Sequence, residues 1–214
     1  MSAGAREVFL IEEPMAAAIG ANLPINNPQA SLVIDIGGGT TEMGVISLGG
    51  LVISKSIKVA GDKFDSAIID YMAKKFNLLI GERTAENIKI EIGTAVRLEK
   101  PLSMLVKGRD KVGLLSTIEL TSDHVAEAME PHLRALSDSL KSVLEQMPPD
   151  MAGDIVENGI IITGGGALVR KIDKYLSDAT KLPVYISDEP LLAVARGTLM
   201  ALDNMDYLDN SLFF

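Results

Sequence analysis

An apolar run, Leu32-Val33-Ile34, leads into Asp35-Ile36-Gly37-Gly38-Gly39-Thr40-Thr41-Glu42, and a second apolar run, Val45-Ile46, follows. Few folds accept such a stretch. Three consecutive glycines between two β runs permit a tight turn and let the backbone come very close to another segment or a ligand. Successive backbone N–H groups in a turn of that kind form a concave anion site. Asp35 places a carboxylate at the entry to the turn, suited to a hydrated divalent cation. Thr40 and Thr41 add hydroxyls. The residues predict a cradle for a metal-bound polyphosphate; a plain glycine-rich hairpin is the other reading of the same stretch.

The surrounding pattern indicates an α/β chain. Val8-Phe9-Leu10-Ile11 reads as a short buried strand, broken by Glu12-Glu13-Pro14 ahead of a helix from Met15 to Gly20. Strands are expected over 32–36, 42–48 and 51–59, with Gly49-Gly50 as the hairpin between the last two. Gly61-Asp62 opens a helix whose stripe is Phe64, Ala67, Ile68, Tyr71, Met72 and Phe76. A second helix runs from Thr84 to Gly93. Strands follow at 102–106 and 116–120 about a turn at Lys107–Asp110, and Thr121 starts a long helix to Gln146, with a kink expected at Pro131 and a stop at Pro148-Pro149. Residues 159–163 read as a buried parallel strand. Gly164-Gly165-Gly166 turns it directly into a helix carrying Leu168, Ile172, Tyr175 and Leu176. A strand at 183–186 and a helix from about Pro190 to Asp203 complete the chain. The arrangement is a mixed sheet with helices on its faces, and a ligand crevice at the carboxyl ends of its strands, where both glycine turns are placed to meet.

Composition narrows the partners. The 214 residues carry a formal net charge of −9, which argues against nucleic acid. Nucleotide stays open, because one triphosphate is held by backbone N–H groups and a metal. The chain has no cysteine, consistent with a reducing cytoplasm. No apolar run approaches the ~20 residues of a membrane span. His124 and His132 lack metal-ligand spacing, and the ten methionines suit core gaps.

Two glycine motifs together point to a family. Asp35-Ile36-Gly37-Gly38-Gly39-Thr40 resembles the second phosphate motif of the actin-like ATPase superfamily, and Ile162-Thr163-Gly164-Gly165-Gly166-Ala167 resembles its adenosine motif. Leu10–Gly20, Ile80–Lys89, Glu189-Pro190-Leu191 and Val194-Ala195-Arg196-Gly197 are similar to the bacterial cell-shape actins of the MreB and Mbl type. The resemblance implies a ribonuclease-H-like mixed sheet flanked by helices, with a small α+β insertion. It divides the chain into a crossing strand and helix at 1–30, a second-lobe core at 31–80 and 121–206, an inserted subdomain at 81–120 and a tail at 207–214. Nothing matches the family's first phosphate motif, an Asp-Leu-Gly-Thr-type hairpin, so the expectation is a second lobe that hydrolyses ATP poorly or not at all alone.

The resemblance also implies roles. ATP and Mg2+ are the expected cofactors. Asp35, Gly37, Gly38, Gly39, Thr40 and Thr41 would cradle the phosphates, with Asp35 reaching the metal through water. Glu13 and Thr40 would position the attacking water, and Glu86, Lys89, Gly164, Gly165 and Gly166 would hold the nucleoside. Expected partners are further copies of the chain in head-to-tail filaments and the cell-wall elongation machinery. The expected location is cytoplasmic, with membrane association through the first lobe. A sugar or acid kinase, or the nucleotide-binding lobe of a DnaK-type chaperone, shares the glycine motifs and is the alternative.

Overall fold

A computed structural model describes Gly4 and residues 7–204. Its main sheet has the order β3-β2-β1-β7-β8. The strands β1 (Ser31–Ile36), β2 (Thr41–Ser47) and β3 (Gly50–Ile57) form an antiparallel meander, and β7 (Ile160–Thr163) and β8 (Val184–Ile186) add to β1 in parallel. β1 is therefore central, and all six of its residues are buried. Its alternation divides the core. Leu32, Ile34 and Ile36 face a large cluster that includes Phe64, Ile68 and Met72 of α2 (Gly61–Lys75), Ile88 of α3 (Glu82–Ile92) and Met129, Leu133 and Leu136 of α4 (Ser122–Gln146). Val33 faces a smaller cluster built from Met15, Ala17, Ala18 and Ile19 of α1 (Glu13–Gly20) and Ala201 of α7 (Ala193–Asp203). The large cluster also takes in Ile172 and Leu176 of α6 (Ile172–Thr180) and Ile155 of α5 (Pro149–Asn158).

The α1–α7 pair is held by small residues. A Cβ on Gly20 would overlap the Ala193 carbonyl and lie 2.8 Å from the Gly197 nitrogen. A Cβ on Gly197 would overlap the Ala16 carbonyl and lie 2.9 Å from the Gly20 nitrogen. Ala16 and Gly20, and likewise Ala193 and Gly197, are four apart and so share a helix face. The two backbones touch there, and no larger side chain fits between them.

Several sequence expectations change. Val8–Ile11 forms no strand; Val8 and Leu10 are 60% and 69% exposed, while Phe9 and Ile11 lie against the α1–α7 cluster. Among the described residues no strand runs beside it to take up its backbone hydrogen bonds. The β2–β3 hairpin turns at Leu48-Gly49, both at positive φ, one residue earlier than expected, a two-residue turn whose twist matches its strands. Its tip is fastened by N–H bonds from Leu48 to Asn27 O and from Gly49 to Ile25 O.

A second sheet, of order β4-β5-β6, contains β4 (Leu78–Leu79), β5 (Ser103–Asp110) and β6 (Leu115–Thr121). β4 lies ahead of the expected boundary at residue 81. The turn falls after Asp110 rather than at Lys107–Asp110, because Asp110 Oδ1 accepts from the N–H groups of Val112 and Leu114 and Gly113 takes a φ of +89°. Gly108 instead sits inside β5, where a Cβ would strike Leu79 O as β4 passes. Leu78, Val106 and Leu120 of this sheet join the large cluster, so its inner face is packed on the body of the molecule.

α4 runs unbroken through Pro131, and Thr121 caps it in a box with His124, whose Nδ1 accepts from the Thr121 N–H at 3.2 Å. Pro148-Pro149 ends α4 but also begins α5, which the sequence reading missed; Pro149 occupies the first turn, where a missing N–H costs nothing. The expected tail at 207–214 lies outside the described residues. No helix among the described residues is long and apolar enough to cross a membrane.

Gly20→Val is expected to cost about 3 kcal/mol by prising α1 from α7. Gly153→Ala, in an exposed turn of α5 with open space around its Cβ position, is expected to add roughly 0.5–1 kcal/mol. Urea unfolding of the two variants against the parent checks both.

Candidate functional site

The parallel register of β1 and β7 aligns Asp35 with Thr163, and the antiparallel register of β1 and β2 aligns Asp35 with Glu42. Ser56 of β3 lies opposite Glu42. A polar row thus crosses four strands. Thr163 Oγ1 donates to Asp35 Oδ1 at 2.7 Å, and Ser56 Oγ donates to Glu42 Oε1 at 2.6 Å. Asp35 is 4% exposed and Thr163 fully buried. Glu13, the first residue of α1, brings a third carboxyl to the row, within hydrogen-bonding reach of Asp35.

These carboxyls are electrostatically uneasy. Burial pushes Asp35 above the usual carboxylate range, and the Glu42 charge adds to that, against the hydrogen bonds from Thr163 and Glu13. Glu13 is also raised, first by desolvation and then by the charges of Asp35 and Glu42. A cation close by relieves repulsion of this kind. Among the described residues no group of three or more His, Asp or Glu is arranged to enclose a metal directly. A hydrated ion held at the Asp35 side of the row would relieve that repulsion.

The glycine loop is fastened from behind. The Gly37 N–H closes it by donating to Thr40 O at 3.0 Å. The carbonyls of Gly37 and Gly38 accept from the N–H groups of Gly61 and Asp62, at 3.1 and 2.8 Å. The start of α2, which would otherwise hold unsatisfied N–H groups, is satisfied by the loop. Across each planar trans peptide the next N–H points opposite to the carbonyl, so Gly38 N–H and Gly39 N–H point away from α2, on the open side of the loop. They, not Gly37, are the loop's free donors.

The second glycine turn meets the first. A Cβ on Gly164, at φ +80°, would come within 2.7 Å of the Ile36 carbonyl carbon and 2.9 Å of Asp35 Oδ1, and one on Gly166 would overlap the Ile36 side chain. Gly165 and Gly166 line a cleft of about 530 Å3 together with Gly37, Gly38, Gly61 and Lys89. Glu86, Asp62 and Asp65 also border it, and Ile90, Leu168, Val169 and Leu191 give it an apolar wall. Lys89 Nζ bonds Asp65 Oδ2 at 2.8 Å rather than Glu86.

The structure brings Gly37, Gly38, Glu86, Lys89, Gly165 and Gly166 to one cleft, with Glu13, Asp35 and Thr40 around the end of β1. Three expectations change. Thr41 has no part in the cradle; it is fully buried and its hydroxyl donates to Val59 O at 2.7 Å, tying β2 to the approach of α2. Gly164 serves close packing on Ile36 instead of lining the cleft. Gly165 to Leu168 is a short 3-10 turn, and α6 starts only at Ile172, so no α-helix N-terminus follows the glycines directly. Thr163, Ser56, Asp62 and Asp65 escaped the sequence reading. Gly61-Asp62 was visible as a helix start, whereas Thr163 and Ser56 matter only through cross-strand register.

A family description, MreB/Mbl protein, matches residues 1–210. The chain belongs to the MreB/Mbl family. It is 48% identical over 212 residues to the cell shape-determining protein MreB of Escherichia coli (strain K12), covering 99% of this chain and 61% of that protein. It is 47% identical over 206 residues to the cell shape-determining protein Mbl of Bacillus subtilis (strain 168), covering 96% and 62%. The chain thus spans about three fifths of the curated MreB and Mbl relatives. The crystal structure of MreB5 of Spiroplasma citri bound to ADP superposes with a TM-score of 0.93 at 40% identity, covering 98% of this chain and 64% of that one. The MamK double helical filament, at 20% identity and a TM-score of 0.75 over 90% of this chain and 59% of its own, shares the fold. The actin-like fold read from the two glycine motifs is the observed one, and the kinase and chaperone alternatives give way to the MreB/Mbl family.

An acid whose pKa is raised on folding stabilises the fold while protonated. That contribution is fully present below its unfolded pKa and is lost as pH rises through the raised folded value. Asp35→Asn is therefore expected to resist urea better than the parent at about pH 7, and the advantage to shrink as pH is lowered through the raised folded value.

Proposed function

We propose that this chain is the ATP-binding second lobe of a filament-forming cell-shape actin. The observation that carries the reading is the convergence of both glycine turns, the start of α2 and the Glu86–Lys89 face of α3 on one cleft, of a size that suits a small-molecule ligand. Gly38 N–H and Gly39 N–H, turned to the open side of the loop, are suited to phosphate oxygens. Gly165 and Gly166 offer bare backbone against a nucleobase, with Leu168, Val169 and Leu191 beside it. Glu86 and Lys89 supply an acceptor and a donor for ribose and base.

The carboxyl row suits Mg2+. Asp35 would hold the hydrated ion, which neutralises phosphate charge when bound. Glu13, raised toward the range of a useful base, would orient the attacking water with Thr40. Support for the nucleotide comes from the family relationship and from the MreB5 structures described as bound to ADP and to AMPPNP. Head-to-tail assembly, contact with the wall-building machinery, membrane association and the division into a core with an insertion at 81–120 follow from the same relationship. The second, three-stranded sheet supports that division.

Calorimetric titration with Mg-ADP tests the reading. The parent is expected to bind saturably. A Cβ on Gly38 meets only Asp62 Oδ1, at 3.5 Å, so Gly38→Val is expected to keep the fold, fill the cleft mouth and weaken binding at least about tenfold. Undiminished binding by the folded variant would remove the site from the loop. Glu13→Gln is expected to leave Mg-ADP affinity within about twofold and to lower any phosphate release from Mg-ATP.

A further inference from the structure

Asp65 has no part in the roles above, yet it occupies the junction of the cleft. It lies in the second turn of α2, facing α3. Its Oδ2 accepts from Lys89 Nζ at 2.8 Å, and each of the two side chains is only 15% exposed. Its Oδ1 is buried and has no hydrogen-bond partner among the described residues. Lys89 Nζ also reaches Gly61 O at 3.4 Å. From there the chain of bonds continues, since Gly61 N–H and Asp62 N–H hold the Gly37 and Gly38 carbonyls. One connected path thus runs from Asp65 through the Lys89 ammonium and the start of α2 to the glycine loop.

We propose that Asp65 is a positioning residue: it fixes the Lys89 ammonium so that one N–H is left for the bound nucleoside while the same ammonium steadies the start of α2 behind the phosphate loop. This deepens the nucleotide reading and rests on it. An ammonium has three donors. Asp65 takes one, Gly61 the second, and the third is left at the cleft that Lys89 lines. Without the carboxylate a lysine side chain keeps its four-carbon freedom, and ordering it would fall on the ligand. Ion pairs this buried are poor stabilisers compared with apolar packing, so architecture alone is a weak reason for one here. Burial raises the Asp65 carboxyl, the Lys89 partner lowers it, and the charges of Glu86 and Asp62 raise it further. The carboxylate therefore depends on Lys89 as Lys89 depends on it.

Two measurements on the whole chain test this. Without nucleotide, acylation of Lys89 by a succinimidyl ester is followed by mass spectrometry against Lys74, whose side chain is 80% exposed. Asp65→Asn is expected to speed Lys89 labelling about tenfold relative to Lys74, and Asp65→Glu to restore slow labelling. With Mg-ADP, Asp65→Asn and Lys89→Met are each expected to weaken binding about tenfold, and the double variant no more than either alone, because both break one unit. Circular dichroism melts confine the comparison to folded protein. If the parent binds Mg-ADP and Asp65→Asn binds it within twofold, or if the two losses multiply, this proposal fails and the nucleotide reading stands. If the parent binds no Mg-ADP, the nucleotide reading fails and takes this proposal with it.

Discussion

The close meeting of three backbones at the carboxyl end of β1 governs this molecule. The glycine loop after Ile36, the start of α2 and the turn after Thr163 come together there, and at Gly164 and Gly166 no side chain has room. Gly61 and Asp62 donate to the carbonyls of Gly37 and Gly38, and Gly164 backs onto Ile36 and Asp35. Because the loop carbonyls are committed to α2, the following N–H groups are turned to the open side. The helix start and the loop satisfy one another, and the arrangement leaves a preformed set of donors that a mobile loop would lack.

The same junction explains the unusual charges. Asp35 is buried at the centre of the sheet because β1 is flanked on both sides, and burial alone raises its pKa. Register then sets Glu42 directly beside it, and α1 delivers Glu13. The glycine contacts of α1 with α7 fix where Glu13 stands, since Gly20 and Gly197 allow the two helices to touch and Ala17, Ala18 and Val33 to close the layer. A packing feature well away from the cleft therefore sets the position of the acid that would act in it. Fold stability and carboxylate repulsion pull in opposite directions here, as expected where charge is gathered for chemistry.

Much of this was legible in the residues. The octet from Asp35 to Glu42, the triplet Gly164–Gly166 and the stretches shared with cell-shape actins identified the fold and nominated the cleft residues. The errors have local causes. Val8–Ile11 has the composition of a strand but no neighbouring strand among the described residues. Pro148-Pro149 reads as a stop and also starts α5. The turn after Asp110 was missed because a side-chain oxygen, not a glycine-rich stretch, closes it. Thr41 was assigned to the cradle because it adjoins Thr40, yet strand alternation turns its hydroxyl inward to Val59.

Most of the strands and helices of the core and the two glycine turns belong to the sequence itself, because local propensity and spacing encode them. Which groups touch was decided only by the tertiary structure. The Asp35–Thr163 and Glu42–Ser56 pairs depend on register between strands, and Asp65–Lys89 on the packing of α2 against α3. The helix contact at Gly20 and Gly197 joins segments nearly the whole described chain apart. Hydrogen bonds and close contacts act over a few ångströms, and only the folded sheet brings residues so distant in the chain within that range.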